Sequence, residues 1–201
     1  MSARDISCGR FCICDLTPFI PLTYNVLRGD IIMNIKMGKD DNLPIVMLLQ
    51  SKPQAAAVIN GSDEYPDIYG IVQFYGTQSG TVVYAQVMGL PSANAPCGNR
   101  FFGFHIHSGT SCTGNAADPF ASALKHYDTQ NCEHPSHSGD LPPLFANNGN
   151  VLSIFITNRF TVDEVLGKTV IIHDKPDDLS TQPSGNSGKK IACGIIRSVA
   201  R

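Results

Sequence analysis

From Gln54 onward, the chain is a series of short apolar or alternating runs separated by turn formers such as Asn60-Gly61 and Asn148-Gly149. Runs of this kind, bounded by such residues, are typical of β-strands. A set of about seven or eight short strands at fairly even spacing predicts an all-β sandwich or barrel. The predicted strands are Ala55–Ile59, Ile68–Tyr75, Thr81–Met88, Phe101–His107, Val151–Thr157, Lys168–His173 and Ile191–Ile196.

Two long irregular stretches interrupt this pattern, one from Ser108 to Asn150 and one from Asp174 to Lys190. Loops of that length in a compact domain are usually either functional or disordered. The sequence has no alternation of strands with helices, no P-loop and no dinucleotide-binding fingerprint. We therefore expect the chemistry of this chain to reside in loops carried by a β scaffold.

The composition excludes several classes of protein. The chain has 201 residues, of which 42% are hydrophobic and 16% charged, and its formal net charge is −2. This hydrophobic content is enough to bury a core, which excludes an intrinsically disordered chain. The net charge offers no general electrostatic reason to bind nucleic acid. No apolar run reaches the length of about eighteen residues that a transmembrane helix needs, so we expect no membrane partner either.

The first 53 residues differ from the rest of the chain. Cys8, Cys12 and Cys14 form a tight cluster, and the segment Ile31–Gln50 sustains neither helical nor strand periodicity. So short a piece builds a poor core by itself. We expect residues 1–53 to be a poorly structured extension or to include a start upstream of the natural one, and residues 54–201 to form the folded domain.

The N-terminal sequence lacks the ordered basic, apolar and small-residue regions of a secretory signal peptide. This predicts a cytoplasmic location by default. The seven cysteines argue weakly in the other direction, because paired cysteines are commoner in oxidising compartments. The compartment therefore stays open.

Histidines at six positions are the main chemical feature of the sequence. His105 and His107 are two residues apart on a predicted strand, so their side chains share one face and can chelate one metal ion. His173 ends another predicted strand, and His126 lies in the first long loop. Four imidazoles from these segments make a plausible copper site, because imidazole is a preferred ligand of copper and zinc.

A second group lies within the same loop, where His134, His137 and Asp140 have the spacing H-x-x-H-x-x-D. Two imidazoles and one carboxylate need one more donor for tetrahedral zinc, and a bridging His126 would supply it. Taken singly, the pair His105 and His107 also fits a solvated strand face, and His173 fits a structural role. The joint pattern favours metal binding, because every histidine of the chain falls in a candidate ligand segment.

Four motifs in the same order resemble the copper/zinc superoxide dismutase family, over roughly residues 54–197. Gly103-Phe-His-Ile-His107 is similar to the family's G-F-H-x-H, and His137-Ser-Gly-Asp-Leu141 to its H-x-G-D-L. The segment Gly167-Lys-Thr-Val-Ile-Ile-His173, followed by Asp177-Asp178-Leu179, is similar to the family's next motif. Gly185-Asn-Ser-Gly-Lys-Lys-Ile-Ala-Cys-Gly194 is similar to its G-N-A-G-x-R-x-A-C-G. The sequence around the ligand loop looks most like bacterial members.

The resemblance implies a Greek-key β-sandwich or barrel of about eight antiparallel strands with two long functional loops. It also implies dismutation of superoxide to O₂ and hydrogen peroxide. In that reading Asp177 links the two metal sites from the outer shell, and Cys112 and Cys193 form a disulfide that ties the first loop to the last strand. The implied copper ligands are His105, His107, His126 and His173, and the implied zinc ligands are His126, His134, His137 and Asp140.

Two departures from the family pattern affect the expected catalysis. The bridging His126 follows Lys125 and precedes Tyr127 instead of lying between a small residue and the usual aromatic, Asn and Pro. Lys190 stands where the family has an arginine near the copper, which keeps the charge but loses the planar fork. We expect His126 and Lys190 to serve catalysis, with turnover that is slower or more sensitive to salt but not lost.

Several alternatives stay open at this point. The domain is either a superoxide dismutase or a non-catalytic copper/zinc-binding domain of the same fold. Cys97 and Cys132 are either a second disulfide or two free thiols, and Cys8, Cys12 and Cys14 are either free thiols or a soft copper(I) site. The oligomeric state is open, a homodimer being one of the alternatives.

Overall fold

The computed structural model describes residues 22–27, 30–35, 45–91 and 100–200, with side-chain burial from residue 45 onward. Internal contacts divide the chain into two units, Met1–Asp41 and Asn42–Arg201. The first unit contains an antiparallel pair of strands, β1 (Leu22–Leu27) and β2 (Asp30–Ile35). This pair is not among the predicted strands, although Leu22, Tyr24 and Val26 of β1 alternate with polar residues; the apolar residues of β2 do not.

The described residues of the second unit form ten strands and two short helices. Eight of these strands fall close to the predicted runs, whereas the two-residue strands Leu144–Phe145 and Arg197–Ser198 are not predicted. Helix α1, also absent from the prediction, precedes the strands. The elements in chain order are α1 (Ile45–Gln50), β3 (Ala55–Gly61), β4 (Tyr69–Thr77), β5 (Gly80–Met88), β6 (Phe101–Phe102), β7 (Phe104–His107), β8 (Leu144–Phe145), β9 (Val151–Thr157), α2 (Val162–Val165), β10 (Thr169–His173), β11 (Lys190–Ile195) and β12 (Arg197–Ser198).

Eight of these strands form one sheet, in which all pairs are antiparallel. The order along the sheet is β7-β10-β11-β3-β4-β5-β9, and β12 also pairs with β3. Strands β6 and β8 form a small separate pair. The order requires long crossovers, because β5 pairs with β9 and β3 pairs with β11. The predicted all-β class is confirmed.

The core lies on one face of the curled sheet, as strand alternation dictates. In β3, Ala55, Ala57 and Ile59 are fully buried, whereas Val58 between them is 64% exposed. Alternate side chains of a strand point to opposite faces, so one apolar set is enough to specify the register. Phe74 of β4 and Phe104 of β7 are the largest side chains of this core that are completely buried.

The two long loops pack on the other side of β7 and β10. The first contains one short 3₁₀ turn, Ala121–Ala123, and is joined to β11 by a disulfide between Cys112 and Cys193. Phe120, Ala123 and Ile171 form a small apolar cluster with Cys193 at this junction. The disulfide and the cluster together fix the loop that leads to His126.

Within the ranges that the structure describes, no helix has both the length and the apolar character needed to cross a bilayer.

We expect the disulfide to contribute substantially to stability. It links residues 81 positions apart, and a cross-link of that span restricts the unfolded chain, so replacing both cysteines by alanine should lower the free energy of unfolding by about 2–4 kcal/mol. Urea unfolding of the variant and of the wild-type protein measures this difference. Reduction of the wild-type protein should reproduce most of the loss, and equal stability before and after reduction would contradict the prediction.

Candidate metal centre

The structure brings the predicted ligands together in two groups that share one histidine. The ligand atoms of each group lie within 4.8 Å of one another. The first group consists of His105, His107, His126 and His173, and the second of His126, His134, His137 and Asp140. His137 is partly exposed, and the other six residues are buried.

Strand pairing places the first group. Phe104 and Ile106 of β7 point into the core, so His105 and His107 point to the opposite face, under the loops. Strand β10 pairs with β7 through Ile171 and His105, and it carries His173 at its end. A bulge between Ile172 and His173 changes the register there, and the His173 amide donates to the carbonyl of Gly103 (2.8 Å).

Backbone hydrogen bonds lay the ligand loop along β7. The amide of Tyr127 donates to the carbonyl of Ile106 (2.8 Å), and the amide of Ile106 donates to the carbonyl of Gly139 (2.8 Å). A Cβ atom at Gly139 would collide with the Ile106 carbonyl, so only glycine allows this approach. The glycine of the H-x-G-D-L motif therefore brings both Asp140 and His126 beside the strand.

Each imidazole of the first group has one nitrogen held by the protein. His107 Nδ1 donates to the carbonyl of Leu124 (2.8 Å), His105 Nε2 donates to Asp177 Oδ2 (2.6 Å), and His173 Nδ1 lies 3.3 Å from the carbonyl of Gly188. Such contacts fix the orientation and tautomer of a ligating imidazole. The rings are therefore oriented before any metal binds.

The remaining nitrogens of the first group face one another. His107 Nε2 and His173 Nε2 are 3.4 Å apart. Within the described part of the chain, His105 Nδ1 and His126 Nε2 are buried without a hydrogen-bond partner. A buried polar atom without a partner is costly, and a bound metal ion would satisfy it. Four converging imidazole nitrogens fit copper, which favours this ligand.

The second group converges on the carboxylate of Asp140. His126 Nδ1 lies 2.7 Å from Asp140 Oδ1, and the Nδ1 atoms of His134 and His137 each lie 3.1 Å from Asp140 Oδ2. Three imidazole nitrogens and a carboxylate oxygen are a donor set that suits tetrahedral zinc. Since His126 offers Nε2 to the first group and Nδ1 to the second, it is placed as the predicted bridge requires.

Asp177 connects the two groups from behind. Its carboxylate accepts from His105 Nε2 (2.6 Å) and His134 Nε2 (2.9 Å), and also from the amide of Leu179 (2.7 Å). The side chain is almost completely buried. Because one carboxylate orients a ligand in each group, Asp177 occupies the outer-shell position that the sequence motif predicts.

Burial and hydrogen bonding set the charge of these groups. Burial lowers the pKa of His107 well below its ordinary value, and burial together with the neighbouring His105 lowers the pKa of His173 to about 3. Burial raises the pKa of Asp140, but the hydrogen bond and charge of His126 outweigh it and lower that pKa to about 2. Neutral imidazole and ionised carboxylate are the forms that bind metals.

Lys190 is held by the first loop. Its Nζ lies 2.7 Å from Asp118 Oδ2 and donates to the carbonyl of Phe120 (3.2 Å), and its side chain is only 15% exposed. Strand pairing places Lys190 opposite His173, beside the first group. The sequence identifies Lys190 but not Asp118, because no motif surrounds the aspartate and its partner is 72 residues away.

Sequence reasoning also misses two residues that hold the ligand loop. The Gln182 side chain makes two hydrogen bonds to the backbone of His134, accepting from its amide (3.0 Å) and donating to its carbonyl (2.6 Å). Arg159 donates to carbonyls of the same loop. Neither residue belongs to a ligand motif, and both contacts join segments distant in sequence, so the sequence has no local indication of them.

The other cysteine predictions are resolved only in part. Among the residues that the structure describes, Cys132 is a free, partly buried thiol. Its alternative partner Cys97 lies outside the described residues, as do Cys8, Cys12 and Cys14. The predicted second disulfide and the predicted copper(I) site therefore stay predictions.

Comparison with known proteins agrees with this geometry. The model of the copper/zinc superoxide dismutase family matches residues 68–196. A Cu-Zn superoxide dismutase of Aquifex aeolicus is 32% identical over 157 residues, which cover 71% of this chain and 85% of the relative. One from Salmonella typhimurium is 36% identical over 144 residues, which cover 62% of this chain and 82% of the relative.

Solved structures show the same fold. The Cu/Zn superoxide dismutase of Brucella abortus matches with a TM-score of 0.59 and 25% identity, over 70% of this chain and 98% of that one. A double mutant of a SOD-like protein from Bacillus subtilis matches with a TM-score of 0.58 and 27% identity, over 71% of this chain and 97% of that one. The resemblance predicted from four sequence motifs is confirmed: this chain belongs to the copper/zinc superoxide dismutase family.

Proposed function

We propose that the chain binds copper and zinc and catalyses the dismutation of superoxide to O₂ and hydrogen peroxide. The observation that carries this proposal is the single ring of His126, which presents one nitrogen to each of two ligand groups. We assign copper to His105, His107, His126 and His173, and zinc to His126, His134, His137 and Asp140. The family relationship supports the same two metals.

Copper, when bound, supplies the electron transfer, because it accepts an electron from one superoxide anion and returns it to a second. Two superoxide anions and two protons thereby give one O₂ and one hydrogen peroxide. We assign His126 Nε2 as the atom that holds and delivers one of these protons. Asp140 and the zinc group keep the ring aimed, since they hold its other nitrogen.

We assign Lys190 to attract the superoxide anion. Its backbone pairs with that of His173 in the copper group, and a cation near the substrate's path raises the local concentration of an anion. Asp118 is ion-paired with that ammonium and screens part of its charge. This supports the expectation of turnover that is slower or more sensitive to salt than with the arginine of the family motif.

The non-catalytic alternative is less well supported. A domain that only held metal would use the same seven ligands, but it would need no lysine paired with His173, and relatives of this chain are named Cu-Zn superoxide dismutases. All seven residues fall in the two groups, which supports metal binding in either reading.

A direct test measures metal content and superoxide dismutation of the full chain expressed with copper and zinc supplied. We expect one copper and one zinc per chain with fast, cyanide-sensitive dismutation. Zinc alone, or both metals without activity, would contradict the catalytic proposal and favour the binding domain.

His126→Ala should abolish most of the activity while the domain still folds. The variant removes both the shared ligand and the proposed proton donor, so we expect dismutation per copper to fall by about a hundredfold or more. Tyr127→Phe is the matched control, because it changes the neighbouring residue and removes no ligand atom. Far-UV circular dichroism checks the fold, and near-normal activity of His126→Ala would refute the bridge assignment.

Lys190→Met should lower the rate at low salt and flatten its salt dependence. Attraction between an ammonium and an anion is screened over about 10 Å at 0.1 M salt, so the difference from the wild type should shrink as salt is added. Lys189→Met is the control, because the Lys189 side chain is 68% exposed and lies 3.9 Å from Glu64. Rates and salt slopes that are the same in both variants would exclude Lys190 from substrate attraction.

We also propose that the protein forms a homodimer through the outer face of its sheet. The outward side chains of β3, β4, β5 and β9 include no charged residue, and Leu152, Ile154, Ile156 and Val58 are 42–68% exposed. Exposed apolar patches without charge typically mark association surfaces. Two copies of this face can meet without like-charge repulsion.

Light scattering during size-exclusion chromatography tests the homodimer. We expect twice the mass of the 21.7 kDa chain and a monomer for Ile154→Lys. Leu179→Lys, in the second long loop, is the control because its side chain is also exposed but lies on no strand. A monomeric wild-type protein would refute this part of the proposal.

A further inference from the structure

The zinc-ligand loop of this chain is short and tightly curled. Only two residues separate His134 from His137, and only two separate His137 from Asp140. Two backbone hydrogen bonds lie within the loop, from the amide of Ser136 to the carbonyl of Glu133 (2.7 Å) and from the amide of Asp140 to the carbonyl of His137 (3.2 Å), and the amide of His137 also donates to Asp140 Oδ2 (2.9 Å). The loop therefore has few contacts of its own with which to hold three ligands in place.

One guanidinium nitrogen compensates from outside the loop. Arg159 Nη1 donates to the carbonyls of Pro135 (2.8 Å), His137 (3.3 Å) and Asp140 (3.3 Å). Two of these carbonyls belong to zinc ligands, and the third lies between the two histidines. Hydrogen bonds from a charged donor are stronger than those between neutral groups. Three carbonyls of the loop thus point to one cationic group, the Arg159 guanidinium, which belongs to another segment of the chain.

The backbone that carries Arg159 is fixed to the core of the sheet. Its neighbour Phe160 is buried, and the Phe160 ring packs edge-on against Phe74, with 6.4 Å between the ring centroids. Thr81 Oγ1 donates to the carbonyl of Phe160 (3.0 Å), and the amide of Arg159 donates to Thr157 Oγ1 (3.2 Å). Arg159 therefore ties the ligand loop to the buried core of the sheet.

We propose that Arg159 is a positioning residue that holds the loop in its metal-binding shape before zinc arrives, and so sets the zinc affinity. A loop that is already ordered loses less conformational freedom on binding, and that saving appears as affinity. The residue contacts no metal and acts through the backbone of His137 and Asp140. This inference rests on the proposed zinc site, and it adds a residue outside the ligand motifs to that site.

Zinc titration of the metal-free full chain against a competing chelator tests the proposal. We expect Arg159→Met to weaken zinc binding about 10- to 100-fold, as loss of an outer-shell partner typically does. The zinc affinity of Arg159→Lys should lie between those of the wild type and Arg159→Met, because lysine keeps the charge but loses the planar fork. Arg197→Met is the matched control, since Arg197 is exposed on β12 and contributes to neither ligand group.

Two further readouts separate a positioning role from a general loss of structure. Copper(II) binding, followed by visible absorption, should change much less than zinc binding in Arg159→Met. Urea unfolding of the metal-free protein should show Arg159→Lys as stable as Arg197→Met, so that its zinc affinity is compared on a folded domain.

Three outcomes would overturn the proposal. Equal zinc affinity of the wild type, Arg159→Met and Arg159→Lys would refute only the positioning role of Arg159, and the proposed zinc site would still stand. An equal loss of copper and zinc affinity would show a general structural effect. Failure of the wild-type chain to bind zinc would refute the zinc site itself and this inference with it.

Discussion

The shared imidazole of His126 is the contact on which the rest of the centre depends. Its two nitrogens face two different ligand groups, so the ring must keep one orientation and one position relative to strand β7. The strand fixes that position, because the ligand loop is hydrogen-bonded along it on both sides of the ring, through Tyr127 and Gly139. A one-residue shift of that loop would direct His126 away from one group or the other.

Burying five imidazoles and two carboxylates would be unfavourable without the contacts that surround them. Asp177 accepts from one ligand of each group, and backbone carbonyls accept from His107 and lie beside His173. Burial lowers the pKa of His105, His107 and His173, which favours their neutral rings, and these contacts direct the opposite ring nitrogens inward, as metal ligands must be. The centre is thus built by the protein before metal binds, and the disulfide, Gln182 and Arg159 hold its loops in place.

Sequence patterns predict much of this architecture because they follow the two-residue period of strands. That period placed His105 and His107 on one face, and the seven predicted strands lie within a few residues of the observed ones. The prediction omits the pair β1 and β2, although β1 alternates apolar and polar residues. It also omits α1, whose first five residues are all apolar and therefore show no helical period. The domain boundary after residue 53 and the cytoplasmic location stay predictions.

Residues that act across long sequence separations are the ones that the sequence could not identify. Asp118, Arg159 and Gln182 each contact a partner 22–72 residues away, and nothing near them in the chain marks that partner. The candidate ligands were identifiable because histidine is rare in this chain, and all six histidines fall in the two groups that could hold a metal ion. Common side chains such as Asp and Arg have too many ordinary roles for their presence to predict a specific one.

A crystal structure of the metal-loaded full chain, with anomalous data collected at the copper and zinc absorption edges, tests the central claim most directly. We predict copper among His105, His107, His126 and His173, and zinc among His126, His134, His137 and Asp140, with the His126 ring between the two ions. Metal ions that do not share His126, or a single ion occupying both groups, would contradict the account.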